Sequence, residues 1–194
     1  MSYPPQTIFY GSSSIRLWEN LYDDFKEFAP VNLGFGGSTL EACVYFFDRI
    51  VTPVQSAQKL IVYAGDNDLG DGKSPEEVFQ FFTQLKILLH IHFPYIPVYY
   101  ISIKPSISRW HINDCITQLN NLIADNIKNE NNHLRFINIY DAMLTGDGYP
   151  NKEYFEEDGL HLSKEGYEVW KQILLTQIFS ETQIPPTEPN TITL

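Results

Sequence analysis

Basic residues are scarce in this chain. Over 194 residues, Lys and Arg number 13 against 24 Asp and Glu, a formal charge of −11 at neutral pH. There is no run of Lys or Arg. Such a stripe supplies most of the affinity of a nucleic-acid binder, through phosphate neutralisation. The composition therefore argues against a nucleic-acid partner, and against an anionic membrane surface for the same reason. Cysteine is nearly absent. Cys43 and Cys115 have neither metal-ligand spacing nor the density of a disulfide framework, so both read as reduced, partly buried thiols. No apolar run reaches the ~18 residues of a membrane-spanning helix, so no stable membrane insertion is expected. The opening Met-Ser-Tyr-Pro-Pro-Gln-Thr lacks the charged and then apolar pattern of a secretion signal, and the expected location is cytoplasmic. Core-forming material, by contrast, is plentiful. The chain is 43% hydrophobic and 14% aromatic, which rules out a mainly disordered chain and fits one domain or at most two small ones.

Five short runs rich in Ile, Val, Tyr and Phe read as strands: Thr7 to Tyr10, Val31 to Gly34, Lys59 to Ala64, Pro97 to Ile103 and Arg135 to Tyr140. They lack strict alternation, as strands buried on both faces do. Helix-like stretches lie between them. Ile15, Trp18, Leu21, Tyr22 and Phe25 fall at helical spacing, which predicts a helix over 15–28. Ser38-Thr39-Leu40-Glu41 has the capping-box pattern and opens a helix toward Ile50. Ser74-Pro75-Glu76-Glu77 has the same pattern with Pro at the first helical position, and its helix runs toward Leu89. Two more helices are expected over 112–128 and from Ser163 to Phe179. Strands alternating with helices indicate an α/β chain with a parallel sheet covered on both faces. One domain is expected over 1–183, followed by an extended tail over 184–194, where three prolines fall at 185, 186 and 189.

In open α/β sheets, ligands bind outside the carboxyl ends of the strands. Four places there stand out, each with a plain structural reading beside a chemical one. In Gly11-Ser12-Ser13-Ser14 a strand ends at a glycine and serines open a helix. The plain reading is an N-cap; the chemical one is a nucleophilic Ser whose own N–H faces a developing oxyanion. Gly34-Phe35-Gly36-Gly37-Ser38 is either a flexible turn or a backbone that approaches a ligand. It is not a phosphate loop, because no Gly-Lys-Ser/Thr follows. Gly65-Asp66-Asn67-Asp68 is a turn, or it offers the Asn67 amide to a site. Asp66, Asp68 and Glu77 also match calcium-loop positions, but Asp71 stands where that loop needs glycine. In Asp158-Gly159-Leu160-His161 the loop can curl so that the carboxylate meets the imidazole, or it is a solvated approach to a helix cap. Among the other histidines, His90, His92 and His133 fall near the amino ends of strands. His111 follows the fourth strand and is the rival base.

Taken together, these four blocks resemble the SGNH/GDSL hydrolases, a family of esterases and lipases. They occur in family order over nearly the whole chain, from Gly11 to His161. Gly65-Asp66-Asn67-Asp68 is similar to the family's Gly-x-Asn-Asp block and Asp158-Gly159-Leu160-His161 to its Asp-x-x-His block. The resemblance implies a three-layer α/β/α sandwich, a flavodoxin-like SGNH hydrolase fold with a five-stranded parallel sheet. It implies Ser13 as nucleophile, His161 as base and Asp158 as its orienting acid. Ser13, Gly37 and Asn67 would form the oxyanion hole, with Gly36 a neighbouring candidate. Ser12 stands where the family has Asp in its Gly-Asp-Ser block, which leaves the choice among Ser12, Ser13 and Ser14 open. Ile101-Ser102-Ile103-Lys104-Pro105-Ser106 and Arg109-Trp110 are similar to a subgroup of small bacterial GDSL-like proteins. Length and shape are similar to the catalytic subunits of platelet-activating-factor acetylhydrolase, a likeness that does not carry substrate identity.

The implied reaction is hydrolysis of a small-molecule carboxylic ester, with no metal or organic cofactor. Two alternatives stand beside it. One is an esterase for acetylated sugars, for which Tyr99, Tyr100, Trp110 and Tyr149 are the candidate stacking residues. The other is a non-catalytic α/β binding module that kept a relict site, motivated by Ser12. Assembly into a homo-oligomer is left open.

Overall fold

A computed structural model describes residues 4–129 and 133–179. Five parallel strands form one sheet: β1 (Thr7–Gly11), β2 (Pro30–Gly34), β3 (Lys59–Tyr63), β4 (Val98–Ile101) and β5 (Leu134–Ile137), in the order β2-β1-β3-β4-β5. This is the flavodoxin-like order, in which the chain winds outward in both directions from β1 and β3. The described part of the chain folds as the expected α/β/α sandwich. The boundary at 183 and the tail over 184–194 lie outside the described residues.

Successive side chains of each strand feed opposite layers, and both layers are apolar. Ile8, Tyr10, Leu60, Val62, Val98, Tyr100 and Leu134 face one layer. There they meet Leu40, Cys43 and Phe47 of α3 (Leu40–Ile50), Val78, Phe82 and Leu85 of α5 (Pro75–His92), and Ile116, Leu119 and Ile123 of α6 (Asn113–Lys128). Phe9, Ile61, Tyr63, Tyr99, Ile101 and Ile137 face the other layer. They pack on Ile15, Trp18, Leu21 and Phe25 and on Trp170 and Leu174 of α7 (Lys164–Leu174). Cys43 is a buried free thiol and Cys115 a half-buried one. Tyr99 and Tyr100 lie in the two cores, which removes them as candidate stacking surfaces.

The expected helix over 15–28 is broken into α1 (Ser13–Arg16), α2 (Leu21–Asp24) and a 3₁₀ turn (Lys26–Phe28). Its apolar residues are nonetheless those buried: Ile15, Trp18, Leu21 and Phe25 all lie in the core, and Tyr22 alone is exposed. Trp18 lies between the two helices and donates its indole N–H to Asp24 at 2.8 Å. The break keeps the apolar positions inward while the chain bends around the bulky indole.

Two strands are shorter than expected for a specific reason. Pro97 to Ile103 was one apolar run, yet β4 ends at Ile101. Asn120 of α6 takes both backbone groups of Ile103, at 2.8 and 2.9 Å, in place of a neighbouring strand. The expected strand to Tyr140 ends at Ile137, because the Ser102 hydroxyl receives the N–H groups of Ile139 and Tyr140. The Ser74 capping box forms as read, with reciprocal bonds between Ser74 and Glu77. The α3 cap is displaced by one residue. Thr39, not Ser38, accepts the Ala42 N–H, and Ser38 turns inward to face Cys43. No helix among the described residues is long and apolar enough to cross a membrane.

Candidate active site

The sheet register brings three strand ends level. Gly11 pairs with Gly34 on one side and Tyr63 on the other, so the chain segments after β1, β2 and β3 emerge together. Gly11 has φ +138°, and a Cβ there would lie 1.8 Å from the Tyr63 carbonyl oxygen. Only glycine fits. The next residue, Ser12, donates its N–H to that same carbonyl at 2.9 Å, which pins the turn out of the sheet. Ser13 then opens α1. Ser12 and Ser14 are buried, and Ser13 is the partly exposed member of the triplet.

His161 reaches Ser13 from the far end of the chain. Its Nε2 lies 3.2 Å from Ser13 Oγ, and its Nδ1 lies 2.5 Å from Asp158 Oδ2. The second Asp158 oxygen accepts the N–H groups of Leu160 and His161 at 2.8 and 2.9 Å. This curl rests on a short antiparallel bridge between Phe155 and Leu162. It is held sideways by the Ser108 N–H on the Gly159 carbonyl at 3.1 Å. Burial pushes the Asp158 carboxyl up, but the bonds from Leu160 and His161 and the charge of the imidazolium outweigh it and hold the group down at about 2. When the ring is neutral, the ionised carboxylate accepts a hydrogen bond from Nδ1–H, leaving Nε2 as the basic nitrogen toward Ser13.

The other two strand ends supply Gly37 and Asn67. Gly37 has φ +67°, is exposed, and has open space where a side chain would stand. Gly36 lies instead against the Arg16 guanidinium. Asn67, read as part of a turn or as an amide offered to a site, sits in a short helix, α4 (Asp66–Gly70). Its Nδ2 donates to the carbonyl of Ser38, the residue after Gly37, at 3.0 Å. Asp68 ties the same two loops together, accepting the Leu40 N–H at 2.6 Å across 28 residues of sequence. Burial raises the Asp68 carboxyl despite the N–H groups it accepts from Leu40 and Glu41.

Asp66 is buried and pairs with Lys104 and Arg109, each at 3.1 Å, with the Tyr63 hydroxyl nearby at 3.4 Å. Burial alone would raise its carboxyl, and the charges of Lys104 and Arg109 hold it below the usual carboxylate range. The three calcium-loop carboxylates are thus turned to separate tasks: Asp66 to two cations, Asp68 to backbone N–H groups, Glu77 to its capping box. Among the described residues no cluster of three or more metal-ligating side chains occurs. His111 lies exposed on the 3₁₀ turn Trp110–Ile112, and the imidazole that meets Ser13 is that of His161. Trp110 and the exposed Tyr149 pack on each other, ring centres 5.3 Å apart. The roles of Asp66, Lys104 and Arg109 were not read from sequence. The one signal was that Asp66 and Lys104 stand just beyond two largely apolar strands.

The structure therefore joins Ser13, His161 and Asp158 in direct contact and brings Gly37 and Asn67 to the same edge. A family model for GDSL-like lipases and acylhydrolases matches residues 7–169. None of the curated proteins matches the chain in sequence. Among solved structures, a protein from Streptococcus pneumonia provisionally named a platelet activating factor superposes with a TM-score of 0.80 at 20% identity, covering 90% of this chain and 84% of that one. A GDSL-like lipase from Bacteroides thetaiotaomicron gives 0.72 at 22% identity, over 91% and 89%. A carbohydrate esterase family 3 protein from Talaromyces cellulolyticus gives 0.72 at 12% identity, over 91% and 97%. At these identities the likeness is one of fold.

Proposed function

The chain belongs to the GDSL-like lipase/acylhydrolase family, and from that premise we propose that it hydrolyses carboxylic esters through an acyl-enzyme on Ser13. The observation that carries this reading is the unbroken line from Asp158 through the imidazole of His161 to the partly exposed Ser13 hydroxyl. His161 Nε2 removes the Ser13 proton as Oγ attacks the ester carbonyl. Asp158 keeps the ring oriented and stabilises the imidazolium that forms. The imidazolium then gives its proton to the leaving alcohol. Water, deprotonated by the same nitrogen, releases the acid from Ser13.

Charge on the carbonyl oxygen needs donors that are in place beforehand. Three are available at this edge. The Ser13 N–H lies at the first helical position, where no intrahelical acceptor exists. The Gly37 N–H belongs to an open loop. Asn67 Nδ2 carries one proton to Ser38 and has a second to give.

A cavity of about 350 Å³ lies beside His161, between Leu17, Leu162, Tyr167 and the carboxylates of Glu19, Glu156 and Glu168. Its lining takes in His161 but not Ser13, Gly37 or Asn67, so it adjoins the proposed reaction centre rather than containing it. A second reading, an acetylated sugar as the alcohol, is favoured by the Trp110–Tyr149 pair, since Trp110 follows Arg109, which contacts Asn67. Ser13→Ala tests the shared core of both. Turnover of a short p-nitrophenyl ester should fall by about 10⁴-fold or more, with the melting temperature kept. Parent-like turnover by folded Ser13→Ala protein would remove Ser13 from the reaction. Comparing acyl lengths and acetylated sugars separates the two readings.

A further inference from the structure

Asn67 has a feature the reaction requires but does not itself explain: its amide must present nitrogen, not oxygen, to the oxyanion. A side-chain amide can turn over, exchanging a donor for an acceptor. Here both of its neighbours forbid that. On one side the Ser38 carbonyl can only accept, and it meets Nδ2 at 3.0 Å. On the other side the Arg109 guanidinium can only donate, and its Nη2 meets Oδ1 at 2.8 Å. We propose that Arg109 is a positioning residue for ester hydrolysis, locking the Asn67 amide with its free N–H toward the cleft and polarising it. The proposal rests on the reading of Asn67 as an oxyanion donor.

The way Arg109 is held favours this role over a plain structural one. Its other contact is to Asp66, an ion pair at 3.1 Å whose angle leaves Nη1 short of a hydrogen bond. The aligned bond of the guanidinium is the one to Asn67. Asp66 also neutralises Lys104, whose ammonium is almost wholly buried and leans on the Tyr63 hydroxyl at 3.2 Å. Two cations therefore share one carboxylate. The assembly carries one positive charge in excess, and the aligned guanidinium directs it at Oδ1. A cation at Oδ1 withdraws charge from the amide and strengthens Nδ2 as a donor. Space is cleared for the group too. A Cβ on Gly70 would lie 2.8 Å from Arg109 Nε and 2.9 Å from Cζ and Nη2. A side chain at position 70 would therefore make the guanidinium shift from its present place.

The test is a double-mutant cycle on an ester turned over by the parent protein. Arg109→Met and Asn67→Ala are made singly and together, and kcat and KM are measured for each. Asn67→Ala should lower kcat by about 10²-fold or more. Arg109→Met should lower kcat by about tenfold to 10²-fold with KM within about twofold. In the Asn67→Ala background it should change kcat by less than about twofold, because the donor it positions is gone. Gly70→Val keeps every charge and adds more bulk than a single carbon where the guanidinium lies, so it should lower kcat in the same direction, and it decides the matter if Arg109→Met does not fold. Parent-like kcat in Asn67→Ala would overturn the reading of Asn67 itself. A low kcat in Asn67→Ala together with an independent, multiplying loss from Arg109→Met would overturn the positioning role alone. Parent-like kcat in folded Arg109→Met, or in folded Gly70→Val, would do the same.

Discussion

Asp158 and His161 meet in a loop where both side chains stay open to water, 49% and 33% exposed. Asp66 meets Lys104 one strand end away, where the two are 7% and 1% exposed. Both are carboxylates paired with bases at the carboxyl edge of one sheet, and the difference in burial sets what each can do. A half-solvated pair can gain and lose a proton during turnover, because water compensates each state. A buried pair cannot, since neutralising one member strands the other in a medium that solvates it poorly. Through-space charge is thus divided between a mobile assembly that handles protons and a fixed one that holds geometry.

The sharpest way to break that division is to neutralise the mobile acid. Asp158→Asn should lower kcat by about 10³-fold to 10⁴-fold, because the ring loses its orienting acceptor. Stability should change by no more than about 1 kcal/mol, as expected of an exposed pair. The pH dependence has a definite sign. The Asp158 carboxyl is held at about 2 in the folded protein, below the ~3.9 of an unfolded chain. Its stabilisation is complete above the unfolded value and is lost as pH falls through about 2. Below about pH 4 the stability gap between parent and Asp158→Asn should narrow toward pH 2, by denaturation at each pH. A gap that widened between about pH 4 and pH 2 would contradict the assignment.

The fixed assembly should respond the other way round. Lys104→Met leaves Asp66 with Arg109 as its one remaining cation, and should cost about 3 kcal/mol in urea unfolding. Any loss of turnover should follow from that loosening. An unfolding midpoint equal to the parent's would mean that the buried pair contributes nothing to holding the edge. The smallest effect concerns the loop between the two. Thr39→Ala removes the observed α3 cap and should cost about 1 kcal/mol. Ser38→Ala, at the position the sequence pattern favours, should cost less.

The same division explains what the chain discloses before folding. Asp158 and His161 are three residues apart, so their contact follows from a local curl and is readable as a spacing. The Ser74–Glu77 box is local too, and it forms as read. The five strands could be read as strands because each is a short run rich in Ile, Val, Leu, Tyr and Phe, whereas their order across the sheet has no local signature. The contacts of Asp66 to Lys104 and of Asn67 to Arg109 span 38 and 42 residues. No local pattern records them, and they exist because β3 and β4 are neighbours. The break within 15–28 escaped for a related reason. Helical spacing reports which residues face inward, and that held for Ile15, Trp18, Leu21 and Phe25 but not Tyr22; it cannot report that an indole needs room between two turns.

The central claim is that Ser13 is the nucleophile and His161 activates it. Labelling with a serine-reactive fluorophosphonate, followed by peptide mass mapping, tests it most directly. One adduct should form on the parent protein, on the peptide that contains Ser13, and it should be lost when His161 is replaced by Asn. Folded parent protein that stays unlabelled, or that carries the adduct on a serine outside the 12–14 triplet, would contradict it.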